Sequence, residues 1–200
     1  MPKNTGKDIA MYEAVLRLLA DGENLHTMTV QQIAEAAGIG KGTVYEYFSS
    51  REEILARALD YRMRQEAAAL SVRLEAAQGF AEKTDTLLCF ARDSVRSQAS
   101  GMQALLENLR ASKSPDDVYK CIGQAEVVSE LRTILLRMVD AGVREGVLAP
   151  APDEAYALMV LLGAVSSYVN LLHLFPQLGE ETLRADACRM VRRALAEELS

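Results

Sequence analysis

Apolar residues recur along this chain at three- and four-residue spacing, interrupted by glycine, proline and short polar clusters. That is the pattern of successive amphipathic α-helices. Ile9, Tyr12, Val15, Leu16 and Leu19 stripe a first helix that ends near Asp21 and Gly22. Ile33, Ala34 and Ala37 stripe a second of about two turns, and Val44 and Phe48 share one face of a third that begins at Lys41. A long helix is predicted from about Arg51 to Gln78, with Ile54, Leu55, Ala58 and Leu59 as its early stripe and Gly79 as its stop. Further helices are expected at 81–99, 102–112 and 118–145, separated by Ser100-Gly101 and by the polar stretch from Ser112 to Asp117. Residues 146–152 form another break, and no internal repeat or low-complexity tract is visible. The expected fold is all-α with about nine helices. A three-helix head over residues 1–50 precedes a helical body over 51–200.

Ala155 to Phe175 stands apart: 21 residues contain no Lys, Arg, Asp or Glu. The length would permit a membrane span. Against that, the segment carries Ser166, Ser167, Asn170 and His173, and its flanks are acidic at Asp153-Glu154 and Glu180-Glu181. A helix apolar nearly all round is otherwise one buried on several sides, here by its own core and by a second subunit. Gly163, Ala164 and Ser167 are small enough for close helix contact, and Leu183, Ala187, Met190, Val191, Ala194 and Leu195 stripe a final helix after Pro176. Two such helices from each of two chains would form a four-helix dimer interface, placing Gly163, Ala164, Ser167, Leu183, Ala187, Val191 and Leu195 there. The expectation is a homodimer with no membrane partner.

The densest local grammar lies between Thr29 and Glu53. Thr29 with Gln32 three residues on is a capping box. Gly38 sits where the short helix must end in a left-handed residue, and Gly40 can cap the next helix. At about 100° per residue, Val44 and Phe48 point inward while Gly42, Thr43 and Glu46 lie on the opposite face. Tyr47 flanks that face on one side, Lys41 and Tyr45 on the other. Two short helices joined by a tight turn form a helix-turn-helix, whose second helix enters the DNA major groove. Lys41 and the hydroxyls of Thr43, Tyr45 and Tyr47 can meet phosphates or base edges. Ser50 and Glu53 read as a second capping box, and Arg51 beside those helix-start amides suggests a phosphate seat.

The run IAEAAGIGKGTVYEYFSSREEIL resembles the DNA-binding signature of the tetracycline-repressor-like (TetR) family of bacterial regulators. The resemblance implies Thr29, Lys41, Gly42, Thr43, Tyr45, Tyr47 and Arg51 as the DNA-facing set. Three positions depart from it: Gly40 replaces a frequent capping serine, Ser49 replaces a frequent lysine, and Glu46 is central on the groove-facing surface. Glu46 would be repelled by phosphates, yet it can accept from a cytosine amino group. The same resemblance implies a small-molecule cavity between the long helix and its neighbours. Phe90, Met102, Tyr119 and Tyr168 are candidate lining and Asp93 or Arg96 candidate polar anchors. The implied function is a repressor that binds a near-palindromic operator in double-stranded DNA and is released by an effector.

Composition narrows the alternatives. Half the residues are hydrophobic and there is no tryptophan, consistent with a well-filled helical core. Net charge is −6, and residues 1–62 hold seven Lys/Arg against nine Asp/Glu, so DNA binding must rest on locally placed cations and dimeric avidity. In GIGKGT the threonine does not directly follow the lysine, and no buried strand precedes it, which argues against a nucleotide-binding P-loop. Cys89, Cys121 and Cys188 are widely spaced, fitting reduced thiols in a cytoplasm, and no apolar run behind a basic start suggests secretion. With only His26 and His173, no metal site, cofactor or enzymatic acid–base machine is expected. The competing readings keep the helical fold but make it a thiol redox sensor, or an interaction module without specific DNA binding.

Overall fold

A computed structural model of the chain describes residues 6–24, 27–96, 126–150 and 153–196. The described residues form eight α-helices and no strand. They are α1 (Gly6–Ala20), α2 (Val30–Ala37), α3 (Lys41–Tyr47), α4 (Arg51–Ala76), α5 (Gly79–Arg96), α6 (Glu126–Arg144), α7 (Glu154–Leu174) and α8 (Glu180–Ala196). A 3-10 turn, Pro176–Leu178, joins the last two. The helix expected at 102–112, the start of the one expected at 118, and His26 and Cys121 lie outside the described residues.

Two compact units divide the chain: among the described residues, one holds 6–24, 27–66 and 95–96 and the other 67–94, 126–150 and 153–196. The first is the head. Met11, Tyr12 and Val15 of α1, Ile33 and Ala34 of α2, and Val44 with Phe48 of α3 and its cap enclose one core. Ile54, Leu55 and Ala58 of α4 join it, so head packing runs past residue 50 and the compact unit reaches Glu66. The Tyr12 ring meets Phe48 edge-on at 6.0 Å and Tyr61 at 5.5 Å, an aromatic clamp between the first and fourth helices. Arg17 donates to the Ala36 carbonyl at 2.7 Å, satisfying an end of α2 that has no further turn to bond to.

The body core gathers Leu70 and Leu74 of α4, Phe80 and Leu87 of α5, Leu135, Met138 and Val139 of α6, Ala157, Leu161 and Ala164 of α7, and Val191 and Leu195 of α8. Asp153 caps α7, its carboxylate accepting the Tyr156 N–H at 2.7 Å, so an acidic flank of the apolar helix has a local task. α4 ends at Ala76, three residues before Gly79, which adopts φ +72 in the turn that opens α5. α7 is long and apolar enough to cross a membrane by length and composition alone. Here one face of it packs into the body core.

Candidate nucleic-acid interface

The head forms the helix-turn-helix by the local rules its sequence carries. Thr29 Oγ1 accepts the Gln32 N–H at 3.2 Å while Gln32 Oε1 accepts the Thr29 N–H at 2.8 Å, closing the box at the start of α2. Gly38 adopts φ 68 and ψ 28, and Ile39 N–H reaches back to the Ala34 carbonyl at 3.0 Å. Only glycine takes that left-handed step without strain, and it turns the chain sharply into α3. Gly40 caps α3 through its carbonyl, accepting from Thr43 N–H at 2.9 Å.

Burial then sorts α3 into faces. Val44 and Phe48 are closed off in the head core. Lys41, Gly42, Tyr45 and Glu46 are exposed, Tyr45 at 55%, and Thr43 and Tyr47 are half-buried. Tyr47 also packs against the head core, and the Lys7 ammonium stands 5.9 Å from its ring centroid. Thr29 is exposed, although its hydroxyl is engaged with Gln32 at 2.8 Å. The outward surface is therefore a small, polar strip with one lysine and one fully presented phenol.

Arg51 and the start of α4 depart from the sequence expectation. Arg51 Nη1 donates to the Met28 carbonyl at 3.0 Å and its guanidinium pairs with Glu52 at 2.9 Å, so it fastens the approach to α2 onto α4. The first turn of α4 also carries Glu52 and Glu53. Two carboxylates at a helix N-terminus complement its dipole, and here they stand beside Arg51. The second capping box forms only by half. Ser50 Oγ accepts the Glu53 N–H at 3.1 Å, but the Glu53 carboxylate reaches one residue further back, to the Ser49 N–H at 2.8 Å and hydroxyl at 2.7 Å. Those two bonds, with Arg57 behind them, hold the Glu53 carboxyl below the usual carboxylate range.

The remaining candidates scatter. Phe90 is half-buried against the body core with the Arg73 guanidinium 5.3 Å from its ring, and exposed Asp93 is paired with Arg92 at 2.7 Å. Tyr168 is buried in a small cluster with Leu88, Leu183 and Ala187. Met102 and Tyr119 lie outside the described residues. Arg96 is exposed at the end of α5, and none of these four described residues lines either of two grooves on the body. An open groove of about 480 Å³ runs between α4 and α6, and a second of about 170 Å³ adjoins it through the shared Ile134 and Arg137.

The dimer candidates divide sharply. Ala164, Leu183, Ala187, Val191 and Leu195 are buried within the chain's own body, so their side chains are spent there and are not offered to a partner. Gly163 and Ser167 are exposed. The outward face of α7 presents Met159 at 65%, Leu162 at 54% and Leu174 at 64% exposure, and Met190 stands out from α8.

Comparison with known proteins follows from this geometry. Residues 13–58 match the family model of bacterial regulatory proteins, tetR family. The chain superposes on the transcriptional regulator FadR of Bacillus subtilis, solved with stearoyl-CoA, with a TM-score of 0.68 at 20% identity, covering 94% of this chain and 97% of that one. It also superposes on a proposed transcriptional regulator of Saccharomonospora viridis in complex with choline (TM-score 0.68, 15% identity, 96% and 98% covered). A proposed tetR-family regulator of Shewanella sp. PV-4 gives a TM-score of 0.64 at 19% identity, over 97% of this chain and 100% of that one. No curated protein sequence matches the chain. At these identities the structures speak for the fold, whereas the matched residues span α2, the Gly38 turn and α3, the segment whose caps and faces were just described. By that head, residues 13–58 belong to the TetR family of bacterial regulatory proteins.

Proposed function

We propose that this chain is a cytoplasmic, ligand-responsive transcriptional regulator, a repressor that binds a near-palindromic operator as a homodimer and is released by a small molecule. The observation that carries the reading is the division of α3: Val44 and Phe48 plug the head core while Lys41, Gly42, Thr43, Tyr45 and Glu46 remain for the groove. Lys41 and Tyr45 contact phosphates and position the helix, and Glu46 is the residue placed to read a base, accepting from a cytosine amino group. Thr29 and Tyr47 border the same surface, and Arg51 supports it from behind through Met28.

A second copy suits the outward apolar stripe of α7, which holds Gly163 and Ser167 between Leu162 and Leu174. The effector reading rests on the grooves between α4 and α6 and on the ligands held by similar folds, stearoyl-CoA in one and choline in another. Since α4 runs from the head core into the body core as one helix, a ligand that prefers one body conformation has a continuous lever to act on. A coupling of about 1–3 kcal/mol changes operator affinity roughly 5- to 150-fold.

Fluorescence anisotropy of the full chain with its own upstream intergenic DNA tests this reading, at two salt concentrations and against a scrambled duplex. Specific binding at about tens of nanomolar or tighter, weakening with salt, is the expected result. Equal weak binding to both duplexes, together with no enrichment in a random-sequence selection, would overturn it.

A further inference from the structure

Beyond the grooves and the outward face of α7, the body contains one cluster of reactive chemistry to which neither DNA binding nor an effector assigns a task. Cys89 of α5 faces Arg184 of α8, whose guanidinium donates to its sulfur at 3.1 Å. One turn back on α5, the Asp85 carboxylate is the acceptor for the Cys89 thiol at 3.8 Å, and it pairs with Arg184 at 3.1 Å. A nucleophile, a proton acceptor and a fixed cation thus touch one another pairwise. Cys89 is half-buried and Asp85 keeps 47% of its side chain exposed, so the cluster borders solvent.

We propose that Cys89 is a peroxide-reactive thiol that forms a sulfenic acid, with Asp85 as proton acceptor and Arg184 as anion holder. The thiol proton passes to the Asp85 carboxylate, and the sulfur attacks one peroxide oxygen. The S–O bond forms as the O–O bond breaks. Sulfur is oxidised by two electrons, the peroxide is reduced, and the departing hydroxide or alkoxide takes the proton from Asp85 to leave as water or alcohol. Thiolate and not thiol is the attacking species. The bond to Cys89 is the first cause that holds the Arg184 guanidinium above its ordinary value. Cys188 is also a free thiol, but burial is the first influence that pushes its pKa up, followed by the Asp85 charge.

The experiment exposes the full chain to an equimolar amount of hydrogen peroxide in the presence of dimedone and maps the adducts by peptide mass spectrometry. Cys89 should be labelled at least about tenfold faster than Cys188 or Cys121, and Arg184→Met should slow Cys89 labelling about tenfold while far-UV circular dichroism is unchanged. Cys188→Ser should leave the Cys89 rate as it was. Faster labelling at either other cysteine overturns the proposal, and so does an unchanged Cys89 rate in folded Arg184→Met. Should that variant fail to fold, the ranking of the three cysteines in the natural sequence still decides. No operator enters the assay, so its outcome is independent of the DNA-binding reading.

Discussion

The Glu145 carboxylate accepts the Phe80 N–H at 2.9 Å, so a residue just past the end of α6 caps the start of α5 from 65 residues away. Lys83 closes the other side of the same corner by donating to the Leu74 carbonyl and, at 2.9 Å, to that of Ala77 at the end of α4. A carboxylate at a helix start and an ammonium at a helix end both complement the peptide dipoles. Glu145→Ala is therefore expected to cost about 1 kcal/mol, and Glu145→Gln less, because an amide oxygen can still accept. Urea unfolding midpoints measure both. An alanine variant as stable as the natural chain would mean the cap is worth nothing.

Acid should loosen the head at Glu53 only once ordinary surface carboxylates elsewhere have begun to protonate. The Ser49 hydroxyl and N–H, then Arg57, hold the folded pKa of Glu53 below its unfolded value. The folded chain accordingly binds fewer protons there. This contribution is fully present above the ordinary carboxylate range and is lost as pH falls through the depressed value. Ser49→Ala removes the first-ranked bond, so its stability deficit is expected at neutral pH and should shrink as the medium becomes acidic. Chemical denaturation at a series of pH values tests it; a deficit that stays constant would show that the bond is not coupled to the charge.

On the recognition surface, exposure separates a clean probe from a compromised one. Tyr45 is 55% exposed, whereas Tyr47 is packed against the head core. Lys41→Ala and Tyr45→Phe are expected to weaken operator binding with the melting temperature unchanged. For Lys41→Ala the salt dependence should also flatten by about one counterion. Tyr47→Ala should lower both affinity and stability. Retained affinity in Lys41→Ala and Tyr45→Phe would remove α3 as the recognition helix.

What could be read from sequence was the chemistry that acts over three or four residues. Thr29 with Gln32, Gly38 as a left-handed stop, and Val44 with Phe48 on one face each follow from local rules, and all three form. The Ser50 box forms only by half, because the Glu53 carboxylate is taken up by the N–H and hydroxyl of Ser49 and not by the Ser50 N–H. The partner of Arg51 was not legible for a different reason: the Met28 carbonyl lies 23 residues earlier and leaves no trace in a helical pattern. The Glu145–Phe80 and Arg184–Cys89 bonds are invisible for the same cause, spanning 65 and 95 residues. The groove between α4 and α6 depends on which stripes converge across two helices, and periodicity within either one does not state that.

The buried side of α7 was illegible because a helix apolar all round has no phase from which to choose it. Ala164 proves fully buried while Leu162, two residues earlier, is 54% exposed. This pair gives a discriminating test of the proposed dimer. Leu162→Glu places a charge on the outward stripe, where it is solvated in a single chain and stranded only against a second copy. It is expected to sediment at the 21.9 kDa of one chain with native far-UV circular dichroism. Ala164→Glu forces a carboxylate between α7 and its own core, a cost of several kcal/mol with no partner to offset it, and is expected to unfold the body. A Leu162→Glu protein that remains dimeric would move the second copy away from this face of α7.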